Sequence, residues 1–192
     1  FMARWGRIAL TAAVAGVIVA AFLTKDGMPK ETSGLVKTHI VRQGDLTKEE
    51  ENPLLKDAYP EVNALAEEYY EEAAKDAKYA DSYETEAVYT KLGPYENSYL
   101  VYVHYKMQIP DIYTKVPGLK TFYVEEDKNG KLIIKKEPAD ENVSELVGKT
   151  AMHEDVKALM QNVHTQYQNA IASDRALQEA FIDLRNAYES EE

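Results

Sequence analysis

The chain has 192 residues, a formal net charge of −11 and no cysteine. This length fits one domain with a linker and a short additional segment. The lack of cysteine excludes disulfide bonds and thiolate chemistry, and a domain of this kind, if exported, suits a Gram-positive bacterial surface better than a eukaryotic secretory route. The acidic composition repels phosphate backbones and the sequence has no basic stripe, so we expect no nucleic-acid partner.

An apolar run of 16 residues starts at Ile8 and ends at Leu23. As a helix it would extend for roughly 24 Å, against roughly 30 Å for the hydrocarbon core of a bilayer. Residues suited to the membrane interface flank it, namely Arg4, Trp5, Arg7 and Lys25. Because basic residues remain in the cytoplasm, we expect a single-pass membrane anchor with the body outside the cell. The alternative is a secretory signal, whose cleavage would release the body.

The sequence divides into three parts. We assign the anchor to residues 1–25, a linker to residues 26–45 and an extracytoplasmic domain to residues 46–192. The linker is polar with little apolar periodicity, and its residues 36–41 favour a short strand. Thr47 and Glu50 match the capping box, which predicts the start of a helix there.

A stronger helix is predicted from Pro60 to about Lys78. Its apolar side chains follow helical spacing on one side, at Val62, Leu65, Ala66, Tyr69 and Ala73. The opposite side carries glutamates that we interpret as a solvated surface rather than a cation site, namely Glu67, Glu68, Glu71 and Glu72.

The middle third is predicted to be an antiparallel meander. Four segments rich in residues that favour strands are joined by turn-like sequences: 83–91, 99–108, 119–126 and 131–136. Alternation in the second segment places Val101 and Val103 on a buried face. Tyr102 and His104 share the other face, which we expect to be partly solvated.

The last third returns to helix. Thr150 is interpreted as an N-cap because acidic residues occupy the next turn. The predicted inner stripe consists of Val156, Leu159, Met160, Val163 and Tyr167. Ser173 and Asp174 predict either a kink or the start of a second helix, whose inner residues would be Leu177, Phe181, Leu184 and Tyr188.

Several short segments carry a resemblance to one family: 59–65 (YPEVNAL), 88–91 (VYTK), 99–103 (YLVYV), 117–119 (PGL) and 122–124 (FYV). The chain resembles the NTF2-like (cystatin-like α+β) domains that follow a single N-terminal membrane segment in proteins of Firmicutes. The resemblance covers about residues 54–184 and implies a helix, a curled antiparallel sheet of about four strands and C-terminal helices. That superfamily includes enzymes, binding modules and assembly subunits, so the fold alone does not define a function.

No residue pattern in the sequence indicates catalysis. Nucleophile–base motifs and metal-ligand spacings such as HExxH are absent, so we expect no catalytic residue, no metal and no cofactor. His153 with Glu154 and Asp155 is interpreted as the polar start of a helix. Should a ligand site exist, Tyr89 and Tyr105 are expected to face it together and to orient an apolar ligand.

The predicted function is a non-catalytic cell-envelope interaction or assembly module, whose partner is a protein or another envelope component. Such a module should expose an aromatic patch, for example Tyr102 with Val88 and Phe122. The alternative is a small-molecule-binding or catalytic NTF2-like cone, which should hold an ionisable side chain in a deep pocket.

Overall fold

The computed structural model of the protein describes residues 40–77, 80–135 and 140–189, the last six of them by backbone alone. The described residues form an α+β fold with five strands, β1 (Leu55–Lys56), β2 (Ser82–Leu92), β3 (Ser98–Gln108), β4 (Val116–Glu126) and β5 (Leu132–Lys135). Four helices accompany them, α1 (Pro60–Asp76), α2 (Glu141–Thr150), α3 (Glu154–Ser173) and α4 (Arg175–Glu189). None of these helices is long and apolar enough to cross a bilayer. The predicted anchor lies outside the described residues.

The sheet is an antiparallel meander in which the strand order follows the chain order. In the turn between β2 and β3, the Gly93 N–H donates to the Ser98 carbonyl at 2.8 Å. In the hairpin between β4 and β5, the Asp127 N–H donates to the Lys131 carbonyl at 2.7 Å. Gly130 in this hairpin has a φ of 83°, a left-handed conformation that favours glycine. The four predicted strands are therefore confirmed, and β1 is an additional edge strand.

Helix α1 covers one face of the sheet, which we call the α1 face. The helix begins with Pro60, where a missing N–H removes no helical hydrogen bond, and its buried residues recur every four positions at Val62, Ala66 and Tyr70. They form one buried cluster with strand residues that include Val88, Val101, Val103, Phe122 and Val124. The predicted helix and the buried positions Val101 and Val103 are confirmed.

Helices α2 and α3 cover the opposite face, which we call the α3 face. Side chains of both helices pack on it at Val143, Leu146, Val156, Leu159 and Val163. Tyr102 is 2% exposed and His104 is 8% exposed, so the prediction of a partly solvated face is wrong. Helix α2, which has few apolar residues and was not predicted, forms a second covering layer of the sheet together with α3.

The helix boundaries of the last third also differ from the prediction. Thr150 is the last residue of α2 rather than the cap of α3. Asp140 caps α2, since its carboxylate accepts a hydrogen bond from the backbone in the first turn at 3.1 Å. Asp174 caps α4 in the same way at 3.2 Å, so the expectation of a second helix starting at Ser173 and Asp174 is confirmed.

The segment before α1 is hydrogen-bonded to the turn between β2 and β3 from its first described residues. The Arg42 N–H donates to the Pro94 carbonyl at 2.9 Å, and Val41 forms an isolated antiparallel bridge with Tyr95. Most of the short strand predicted at residues 36–41 lies outside the described residues. The packed domain therefore includes residues upstream of 46.

The helix start predicted at Thr47 is wrong. The Thr47 N–H donates to the Asp45 carboxylate at 3.2 Å, and the backbone makes isolated turns that end at Asn52. Pro53 follows, and because proline has no N–H the turns cannot continue as a helix.

Candidate functional site

The tyrosines expected to share a ligand site, Tyr89 and Tyr105, lie on opposite faces of the sheet. Tyr89 is aligned with Tyr102 of the α3 face, whereas Tyr105 packs on the α1 face. The cause is a bulge in β2 between Thr85 and Ala87, which inserts a residue and exchanges the faces of the strand residues on either side of it. Contrary to the prediction, the two side chains do not line one site.

Tyr105 instead joins Tyr70 and Tyr83 beneath α1. Its ring centroid lies 4.8 Å from that of Tyr70 and 5.8 Å from that of Tyr83. Burial raises the pKa of the Tyr70 hydroxyl well above its ordinary value, and this hydroxyl has no hydrogen-bond partner among the described residues. The rings pack with the buried valines of the α1 face, so the tyrosines here fill the interior between the helix and the sheet.

The aromatic patch expected of an interaction module is not at the surface. Val88 and Phe122 are buried on the α1 face, and Tyr102 is buried on the α3 face. Tyr113 is, by contrast, 96% exposed. The glutamates of α1 are exposed, as the interpretation of a solvated surface predicted: Glu67, Glu68, Glu71 and Glu72.

Tyr113 lies on the loop between β3 and β4, and this loop is fixed on both sides of the tyrosine. Before it, Ile112 is buried and its carbonyl accepts a hydrogen bond from the side chain of Gln108. After it, the Thr114 N–H donates to the Asp174 carboxylate at 3.3 Å. The hydrogen bond with Thr114 lowers the pKa of Asp174, which keeps the acceptor charged. A ring presented on a fixed loop loses little backbone freedom on binding.

A second feature is the α3 polar cluster, which we define as Glu49, Asn52, Lys91, His153 and Asp155. The side chain of Lys91 is fully buried, and its Nζ donates to Asp155 Oδ2 at 2.8 Å and to the Asn52 carbonyl at 2.6 Å. A buried charge without such partners would cost several kcal/mol. The side-chain amide of Asn52 also donates to the Leu92 carbonyl at 3.0 Å and accepts from the Leu92 N–H at 2.8 Å.

His153 brings an imidazole into this cluster and is 7% exposed. Its Nε2 lies 2.7 Å from the Thr47 carbonyl oxygen. Since a carbonyl only accepts, Nε2 carries a hydrogen in this contact, which assigns the lone pair of the neutral tautomer to Nδ1. Nδ1 and Asp155 Oδ1 are both buried and have no hydrogen-bond partner in the described part of the chain. One ligand atom each from Glu49, His153 and Asp155 lie within 4.8 Å of one another.

This cluster was not predicted from the sequence. His153 and Asp155 are recognisable at a helix start, but Glu49, Asn52 and Lys91 come from distant segments, so no spacing motif joins the five residues. The one available signal is Lys91, a charged residue aligned with Leu100 on a covered face of the sheet. Such a lysine requires a buried acceptor.

The remaining histidines lie elsewhere. His39 is outside the described residues. His104 is on β3, where burial lowers its pKa. His164 is on α3, with its ring centroid 6.5 Å from that of Tyr167.

Comparison of the chain with protein-family models, with curated proteins and with solved structures found no match. A function for this chain must therefore be inferred from its own side chains. The two candidate functional sites are the Tyr113 loop and the α3 polar cluster.

Proposed function

We propose that the protein is a non-catalytic interaction module of the cell envelope, tethered by residues 8–23 with its acidic domain outside the membrane. The observation that carries the proposal is Tyr113, 96% exposed on a loop whose flanks are hydrogen-bonded. Tyrosine is enriched among the residues that contribute most to binding energy at protein interfaces. The partner is a protein or another envelope component that receives this ring in a pocket.

The packing of the sheet supports surface binding over a catalytic cone. The space between α1 and the sheet is occupied by tyrosine rings and valines. The buried cation, Lys91, lies on the opposite face and is bound by Asp155 and Asn52. A general base or acid must instead reach a proton of the substrate.

The sheet edges are poorly suited to accept a strand from a partner. Residues 82–87 of β2 have no partner strand on their outer side within the described residues, but this stretch contains the β-bulge. On the other side of the sheet, residues 116–122 of β4 extend beyond the edge strand β5 and contain Pro117, which has no N–H to donate. Bulges and prolines are features that disfavour edge-to-edge pairing. The loop around Tyr113 is therefore the better docking surface.

The membrane tether and the family remain part of this proposal. The order of one helix, an antiparallel meander and C-terminal helices supports a relationship to the NTF2-like domains of Firmicutes membrane proteins. The apolar run and its basic flank support the single-pass topology.

Site-specific photocrosslinking on intact cells tests the docking surface. A photoreactive phenylalanine analogue replaces Tyr113 in the full chain, and the matched control replaces Lys128. Lys128 is exposed in the β4–β5 hairpin, at the opposite end of β4 from the Tyr113 loop. We expect a discrete adduct only from position 113. Equal labelling at both positions, or no adduct at either, would contradict the proposal.

A separate experiment tests the tether. Protease added to intact cells should degrade the domain and leave a membrane-bound N-terminal fragment. Recovery of a soluble domain beginning near Phe22 would show instead that the first segment is a cleaved signal.

A further inference from the structure

We propose that Glu49, His153 and Asp155 form a binding site for a divalent transition-metal cation, with Zn²⁺ as the best-matched ion. One ligand atom from each of the three side chains lies within 4.8 Å of the others. Imidazole nitrogen and carboxylate oxygen are both established zinc ligands, and three such ligands leave a fourth position for water. This site is independent of the Tyr113 loop and of the proposed interaction function.

The imidazole of His153 is oriented as a ligand. Its Nε2–H donates to the Thr47 carbonyl at 2.7 Å, which is the hydrogen bond that commonly fixes the tautomer of metal-binding histidines. The same bond leaves the lone pair on Nδ1, a buried atom without a partner among the described residues. A buried acceptor with nothing to accept from is costly, and a bound cation would remove that cost.

Each carboxylate is already held by hydrogen bonds to one of its two oxygens. Asp155 Oδ2 accepts from Lys91 Nζ and from the Leu54 N–H, each at 2.8 Å, while its Oδ1 is buried and unpartnered in the described structure. Glu49 Oε2 accepts from the Glu154 N–H at 2.6 Å. Both carboxylates are therefore held next to the imidazole, and a bound ion would draw the three ligand atoms closer together than the 4.8 Å that bounds their present separations.

The surroundings decide which cation is favoured. The positive charge of Lys91 and the N-terminal end of the α3 dipole both oppose a cation. Ca²⁺ and Mg²⁺ depend on many oxygen ligands or retained waters, and two carboxylates beside a lysine supply too few oxygen ligands. Zn²⁺ gains from coordination by imidazole, which suits transition metals better than hard cations. We therefore expect Zn²⁺ to bind and Mg²⁺ not to compete with it.

The test is calorimetric titration of Zn²⁺ into the full chain, purified in mild detergent without a histidine tag and stripped with a chelator. We expect one Zn²⁺ per chain and an unchanged isotherm in excess Mg²⁺. His153→Ala should weaken binding by about tenfold or more, the scale seen even for outer-shell changes. The matched control is His164→Ala, which removes a half-buried histidine further along the same helix and should leave the affinity unchanged.

A second variant covers the case in which His153→Ala fails to fold. Glu49→Gln keeps an oxygen to accept the Glu154 N–H but removes the carboxylate charge, and it should also weaken Zn²⁺ binding. In the wild-type chain, the ¹⁵N resonance of His153 Nδ1 should shift on addition of Zn²⁺. Absence of uptake, equal affinity in Glu49→Gln, or an unmoved Nδ1 resonance would overturn the proposal. Those results would indicate a buried water donating to Nδ1 and to Asp155 Oδ1.

Discussion

The two faces of the sheet bury different kinds of side chain. The α1 face is formed by valines and aromatic rings, and one amphipathic helix covers it. The α3 face also buries aliphatic and aromatic residues but adds Lys91 and His104, which are aligned with Leu100 and Leu119 of the neighbouring strands. An apolar face needs only a helix of matching periodicity to cover it. The buried charge of Lys91 additionally needs specific partners from distant segments, here Asp155 and Asn52.

The largest expected loss of stability follows from a substitution on the α1 face. Val103 is fully buried among apolar side chains, so Val103→Asp would bury a carboxylate without a partner. We expect a loss of about 4 kcal/mol or more in the free energy of unfolding, measured by urea denaturation. The matched change on the other face is His104→Asp. The new carboxylate there would replace a side chain that is already polar and 8% exposed, near Lys56 and Lys106 as well as Glu86, so its cost should be smaller. Equal costs would contradict the difference between the faces.

The next effect tests the polar partners of the α3 face. Lys91→Met removes a fully buried charge and leaves Asp155 without its cation, at an expected cost of about 3 kcal/mol. A double-mutant cycle with Asp155→Asn should give a coupling energy of about 1–3 kcal/mol, because the two residues bind each other. The control is Lys75→Met, which breaks an exposed pair with Glu72 and should leave the free energy of unfolding nearly unchanged. Strictly additive effects of the Lys91 and Asp155 changes would show that the pair is not coupled.

The same contrast explains which parts of the fold the sequence predicted. Helix α1 and strands β2 to β5 follow from apolar periodicity and turn residues, because each depends on contacts that repeat along one segment. The bulge at Thr85 is a single inserted residue and leaves no periodic signal, yet it moves Tyr89 to the other face. Helix α2 has its apolar residues Val143, Leu146 and Val147 at helical spacing, but three such residues in one short segment are too few to identify a helix by pattern.

The candidate site was less predictable than the fold for a related reason. His153 and Asp155 were visible as polar residues at a helix start, but their partners lie far away in sequence at Glu49 and Lys91. Only tertiary packing brings these segments together. Tyr113 was likewise not distinguishable from the other tyrosines, since its exposure depends on how the loop is fixed by Asp174.

A smaller effect compares a glycine in the packed interior with a glycine at the surface. A Cβ atom added at Gly118 would lie 2.4 Å from the Tyr105 ring, which packs against Tyr70 on the α1 face. Gly118→Ala should therefore cost about 1–3 kcal/mol through overpacking. A Cβ at Gly148 in α2 would meet no atom within 4 Å, so Gly148→Ala should stabilise the protein by up to about 1 kcal/mol through helix propensity. The melting temperatures of the two variants should therefore shift in opposite directions from that of the wild type. Shifts in the same direction would contradict this difference between the two glycines.

The smallest effect is a pH dependence that belongs to the α3 face. Burial lowers the pKa of His104 below its ordinary value of 6.5, although Glu86 partly opposes this shift. The unfolded chain therefore binds a proton more readily than the folded one, and stability falls as the pH drops below about 6.5 toward the lowered pKa. His104→Gln removes this dependence, so the difference in unfolding free energy between variant and wild type should change between pH 7.5 and 5 in favour of the variant. His164→Gln on α3 is the control for loss of a histidine. If the difference in unfolding free energy between His104→Gln and wild type stays constant over this pH range, the α3 face does not hold His104 away from water.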